Sequence, residues 1–269
     1  MAHSPTKSAL SAPFGLEIAQ PEVQRFNECV VLVPFYGGTK IQLRRHSDFL
    51  LALGFPVASF DLAAFPKGQR TQLIGNLVSS RAEFGVKHIW ADQIEAVCNA
   101  IPGQKILFGF STPSASAIEA IVRRQAVDIA GLICDSGPTT DLLSALVNYF
   151  RFEEPLRVPL TRYAAALALT LGWSPAFRHE ITADMEQLPS QFRILSIRGW
   201  KDKIIGTHEI DQVFEPHNQI DWRKLSLPKA GHLNGLRDFA SEYEGPVKQF
   251  LLQIATPKIA PQQDLQPSE

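Results

Sequence analysis

Lys105-Ile106-Leu107-Phe108-Gly109-Phe110-Ser111-Thr112-Pro113 runs from an apolar stretch through a glycine to a serine. Beyond it Ile118, Ile121 and Val122 recur at helical spacing, so the segment reads as a strand, a tight turn and a helix. Pro113 stands at a first-turn position, where its missing N–H costs no hydrogen bond. A serine on such a turn has its hydroxyl held clear of its own backbone, beside helix N-terminal amides that can receive an oxyanion. Serine and threonine also cap helices, so a plain N-cap at Ser111 or Thr112 is the alternative reading.

Two further residues fall at comparable places downstream. Arg193–Arg198 reads as a strand, and Gly199-Trp200-Lys201-Asp202-Lys203-Ile204-Ile205 puts a carboxylate in the loop after it. Leu225–Pro228 reads as another strand, followed by Lys229-Ala230-Gly231-His232-Leu233-Asn234-Gly235. Taken singly, Asp202 is a turn aspartate between two lysines and His232 a loop histidine. Taken together, Ser111, Asp202 and His232 stand in the order Ser, Asp, His, in which a nucleophile, an orienting acid and a base are known to follow one another.

Around these loops the chain alternates strand and helix: strand 29–34, helix 42–53, strand 56–61, helix 90–100, strand 105–109, helix 113–125 and strand 129–134. The alternation predicts an α/β class, a mostly parallel sheet with helices on both faces. The sheet resumes at 193–198 and 222–227 and closes with a helix at about 237–253, with no internal repeat. With 269 residues and 45% hydrophobic content, one α/β core accounts for the chain. More than 50 residues separate Asp135 from Arg193, and they contain two apolar helix-like runs, Leu142–Phe150 and Tyr163–Trp173. Both fall short of the about 20 residues that span a bilayer.

This ordered set of motifs resembles the α/β-hydrolase superfamily over residues 28–252. Cys29–Thr39 resembles the strand and glycine-containing loop that supplies half of an oxyanion hole. Val57–Leu62 resembles the strand ending in a structural aspartate, here Asp61, and Trp90–Ile94 the start of the helix before the nucleophile strand. The resemblance implies an α/β-hydrolase fold with a core at 28–138 and 191–253 and a helical lid at 139–190. An N-terminal tail with a short leading strand at 1–27 and a disordered tail at 254–269 complete the expected organisation. It further implies Ser111 as nucleophile, Asp202 as orienting acid, His232 as base, and the backbone N–H groups of Tyr36 and Thr112 as the oxyanion hole. Asp135, at the end of the strand after the nucleophile helix, is the alternative acid.

The chain departs from the family pattern at two points. Pro113 replaces the second motif glycine, which biases Thr112 away from the α region, and Pro34-Phe35 replace the usual His-Gly of the first loop. The implied activity is that of a serine hydrolase acting on a carboxylic ester or thioester, with a small-molecule substrate carrying an apolar or acyl moiety. The bacterial luminescence acyl-transfer enzymes also depart from the second glycine, which makes a fatty-acyl thioesterase or acyltransferase the alternative. A non-catalytic ligand-binding relative is the alternative of a different class. Leu167 and Leu171, in the second apolar run, are expected to meet the acyl chain, unless these helices merely pack on the core or on a second copy in a homo-oligomer.

The remaining features exclude more than they propose. A net charge of −1 offers no electrostatic footprint for nucleic acid or an anionic membrane. Cys29, Cys98 and Cys134 read as buried thiols, and no His/Cys cluster or nucleotide motif calls for a metal or cofactor. The first residues lack the apolar core of a secretory signal, so a cytoplasmic location is expected. His46 falls on the polar face of an amphipathic helix, and Arg44-Arg45 and Arg123-Arg124 read as solvated pairs. Lys67 and Arg70 lie in a long loop, 63–88, that would pass the rim of the site.

Overall fold

The computed structural model describes residues 13–63 and 84–258. Its strands are β1 (Glu17–Ala19), β2 (Cys29–Val33), β3 (Val57–Ser59), β4 (Lys105–Phe110), β5 (Ile129–Asp135), β6 (Arg193–Gly199) and β7 (Asp221–Leu227). Its helices are α1 (Arg44–Leu53), α2 (Val86–Ala100), α3 (Ser114–Arg123), α4 (Leu142–Phe152), α5 (Pro159–Trp173), α6 (Phe177–Gln187), α7 (Thr207–Phe214), α8 (Gly235–Asp238) and α9 (Ala240–Ile254). The expected helix at 90–100 begins one turn earlier, at Val86. Lys67 and Arg70 lie outside the described residues.

One seven-stranded sheet runs β1-β3-β2-β4-β5-β6-β7, with β1 antiparallel to β3 and every other pair parallel. Strands buried on both faces need apolar residues throughout, and β2 and β4 are buried at every position. Their alternate side chains enter two separate layers: Val31 and Val33 pack with α2 and α3, whereas Val30 and Leu32 pack with α1 and α9. Phe110 pairs with Asp135, and Asp135 with Ile197, so the loops after β4, β5 and β6 leave the sheet along one edge. Asp61 lies just past β3 and accepts the Lys40 N–H at 2.9 Å, a structural role.

Three helices, α4 to α6, connect β5 to β6. From α4 Leu142, Ala145 and Leu146 are buried, and α6 packs its Phe177, Ile181 and Met185 against the core beside α3. The middle helix behaves differently. Only Ala166 and Trp173 of α5 are buried, while Leu160 is 78% exposed and Leu167 and Leu171 are each 50% exposed. Among the described residues no helix is long and apolar enough to cross a membrane.

An ionic cluster joins α2, α3 and α6. Lys87, 1% exposed, reaches Glu119 at 2.8 Å and Asp184 at 2.7 Å, and His88 Nδ1 lies 2.7 Å from Glu119. Burial alone would lower the His88 pKa, but its bonds to Glu119 and Glu180 outweigh that and raise it to about 9. Burial likewise opposes Glu119 ionisation, yet His88 and Lys87 hold its pKa down to about 2. Arg123 and Arg124 are not a free solvated pair. Arg123 bridges to Asp92 at 2.6 Å and Arg124 to Asp128 at 2.9 Å.

Candidate active site

Ser111 follows β4 directly and turns the chain through a left-handed backbone conformation, φ 57°. For a residue with a Cβ this costs about 1–2 kcal/mol, so neighbouring contacts must hold it. The Ser111 N–H donates to the Asp135 carbonyl at 2.8 Å, and the Ser111 carbonyl accepts the Ser114 N–H at 3.1 Å. Pro113, with φ −57° and ψ −16°, leads into α3 without distorting it, and the Thr112 carbonyl accepts the Ala115 N–H at 2.9 Å. A Cβ on Gly109 would lie 3.1 Å from the Ser114 Cα, so that glycine permits the close approach of β4 to α3.

The three residues singled out in the sequence meet here. Ser111 Oγ lies 3.0 Å from His232 Nε2, and His232 Nδ1 lies 2.7 Å from Asp202 Oδ2. The other Asp202 oxygen accepts the N–H groups of Ile204 and Ile205 at 2.8 and 3.0 Å, which fixes the carboxylate in its turn. Its side chain is 1% exposed despite the flanking lysines. A neutral imidazole in this setting donates from Nδ1 to Asp202 and accepts from the serine hydroxyl at Nε2.

Asp135 adjoins the serine turn but does not take the acid's place on His232. It is buried and accepts hydrogen bonds from Tyr243 Oη at 2.7 Å and Ser136 Oγ at 2.9 Å, with no hydrogen bond to His232. Burial raises its pKa to about 6. His46, expected on a solvated face, instead turns inward against Phe108, Phe110 and Tyr243, and burial lowers its pKa to about 3. A single polar residue on an amphipathic helix carries no sequence signal for that inward turn.

Tyr36 and Thr112 border the same cavity as Ser111 and His232, and neither backbone N–H has a hydrogen-bond partner among the described residues. The cavity encloses about 850 Å³. Its apolar wall comes from Leu146 and Tyr149 of α4 and from Trp173 at the end of α5. The Tyr36 ring meets Tyr149 edge-on at 5.9 Å and Trp173 at 5.4 Å, and Trp173 rests on Trp90 at 4.8 Å. Leu167 and Leu171 do not border it, contrary to expectation, because they lie on the outward face of α5. Cys29, Cys98 and Cys134 are buried free thiols, and among the described residues no cluster of acidic, histidine or cysteine side chains is arranged to hold a metal.

No family model and no curated protein sequence matches the chain. Solved structures do. An esterase from Pyrococcus furiosus is 15% identical with a TM-score of 0.61, over 90% of this chain and 93% of that one. An esterase from Thermogutta terrifontis is 15% identical with a TM-score of 0.59, over 90% and 94%. The proline iminopeptidase of Mycobacterium smegmatis is 17% identical with a TM-score of 0.62, over 90% and 97%. Backbone likeness across nearly the whole of each chain, together with the strand order and the loops that leave one sheet edge, shows that this chain has the α/β-hydrolase fold.

Proposed function

We propose that the protein is a serine hydrolase that cleaves a carboxylic ester or thioester through an acyl-enzyme on Ser111. The observation that carries this reading is the unbroken line from Ser111 Oγ through His232 to Asp202, at 3.0 and 2.7 Å. As Ser111 attacks the substrate carbonyl, its proton passes to His232 Nε2, and Asp202 stabilises the imidazolium and keeps the ring oriented. The carbonyl oxygen becomes an oxyanion facing the Tyr36 and Thr112 N–H groups. Collapse of this intermediate expels the alcohol or thiol, which takes the proton from His232. Water then attacks the acyl-enzyme by the same route and releases the acid. The aromatic and aliphatic wall of the cavity suits an apolar acyl group, with 139–190 as a lid that contributes Leu146, Tyr149 and Trp173 to it.

A fluorophosphonate probe tests the reading directly, because it labels an activated serine and ignores an idle one. The parent protein is expected to be labelled and Ser111→Ala to be blank. Labelling that persists in the variant, or moves to Ser114, overturns the assignment, and an unlabelled parent identifies a non-catalytic relative. Matched p-nitrophenyl esters and acyl thioesters then decide which leaving atom is preferred.

A further inference from the structure

Three non-glycine residues at the site adopt left-handed backbone conformations: Ser111 (φ 57°), Ser136 (φ 58°) and Leu233 (φ 52°). They stand on three different loops, after β4, β5 and β7, and Asp135 connects them. Its carbonyl accepts the Ser111 N–H at 2.8 Å. Its carboxylate accepts the Ser136 hydroxyl at 2.9 Å, and Ser136 Oγ in turn accepts the Leu233 N–H at 3.1 Å. Leu233 immediately follows His232. The second carboxylate oxygen accepts the Tyr243 hydroxyl from α9 at 2.7 Å, and His46 Nε2 of α1 stands 3.9 Å from it.

We propose that Asp135 and Ser136 form a relay that positions the His232 loop, so that Asp135 acts through the peptide after His232 and not as the acid bonded to its ring. A carboxylate only accepts hydrogen bonds, so it fixes the direction of the Ser136 proton and leaves the Ser136 lone pairs to receive the Leu233 N–H. That bond holds a residue whose φ is unfavourable for any side chain, and with it the rotation of the preceding imidazole. The same aspartate anchors the serine turn through its main chain. One buried residue thus sets the relative placement of Ser111 and His232, which no bond along the chain fixes across 121 residues. This inference rests on the serine-hydrolase reading for its kinetic consequence but not for its structural one.

The test uses Ser136→Ala in the full-length chain, with Asp135→Asn as a second variant and Val247→Ala as a control. Val247 is buried in the α9 layer and lies outside the relay and the cavity, so it reports destabilisation alone. Two readouts are needed: hydrogen exchange at the Leu233 amide, and kcat with the fluorophosphonate labelling rate. Ser136→Ala is expected to expose the Leu233 amide to faster exchange. It should also lower kcat and labelling roughly 10- to 100-fold, as misplacement of a catalytic group by about 1 Å does, with KM within about twofold. Asp135→Asn should follow in the same direction, and Val247→Ala should change neither readout. Parent-like exchange at Leu233 in Ser136→Ala overturns the relay, and so does parent-like kcat in an active enzyme. If the parent itself is neither labelled nor active, the hydrolase reading fails while the exchange arm still decides the relay.

Discussion

Gly137 lies against the main chain of Ser111, so close that a Cβ on it would come within 2.5 Å of the Ser111 carbonyl carbon and oxygen. The contact braces the serine turn from the loop after β5. Gly137→Ala is expected to push Ser111 out of register and to destabilise the fold by about 1–3 kcal/mol through overpacking. Urea denaturation checks the stability, and fluorophosphonate labelling of the folded variant checks the turn. Parent-like labelling would show that the serine tolerates the displacement.

Asp202→Asn is expected to lower kcat by roughly 10⁴-fold, because an amide at the Asp202 position presents a donor to His232 and favours the wrong tautomer. The two N–H groups on the other Asp202 oxygen keep the turn in place, so stability should change little. A stopped assay with p-nitrophenyl butyrate, paired with thermal unfolding, separates the two effects. A loss of activity that merely tracks a loss of stability counts against the assignment.

The cavity wall leads to a chain-length prediction. kcat/KM for p-nitrophenyl esters should climb about fourfold per added methylene towards medium chains, as burial worth about 0.8 kcal/mol per methylene requires. Leu146→Ala with Tyr149→Ala should flatten that slope, since both side chains border the cavity. Leu167→Ser with Leu171→Ser should leave it unchanged, since both face outward from α5. The reverse result would place the acyl chain on the far side of α5.

The cluster around Lys87 predicts a pH window for stability. His88 has a folded pKa raised from 6.5 to about 9, so its contribution is complete below pH 6.5 and lost as pH rises through about 9. Glu119 is lowered from 4.5 to about 2, so its contribution is complete above pH 4.5 and lost as pH falls towards about 2. The cluster's contribution to the denaturation midpoint should therefore be greatest between these limits and decline on both sides. His88→Gln should remove the part of the alkaline decline that lies between pH 6.5 and about 9, on the order of 2 kcal/mol. An unchanged alkaline decline in that variant would assign the loss to another group.

The sheet was legible along the chain because its signal is local. Five successive apolar residues at Cys29–Val33, and the apolar run before Ser111, announce strands buried on both faces whatever surrounds them. The order Ser111, Asp202, His232 was legible for the same reason, since each stands just past a strand, and strand ends that share one sheet edge bring their loops together. His46 was not. Periodicity separates a helix into two faces but cannot say that a polar residue at the boundary will be turned inward by Phe108 and Phe110, from a strand far along the chain.

By itself, then, the sequence determined the α/β class, the strand-to-loop positions of three polar residues, and an insertion between β5 and β6. Tertiary structure alone decided that His232 bonds Asp202 and leaves Asp135 to Ser136 and Tyr243. It also decided that α4 borders the cavity while the equally apolar α5 turns Leu167 and Leu171 to solvent. Both choices depend on the angles at which packed elements cross. Those angles are set by the shapes of side chains far apart in sequence, and local spacing carries no record of them.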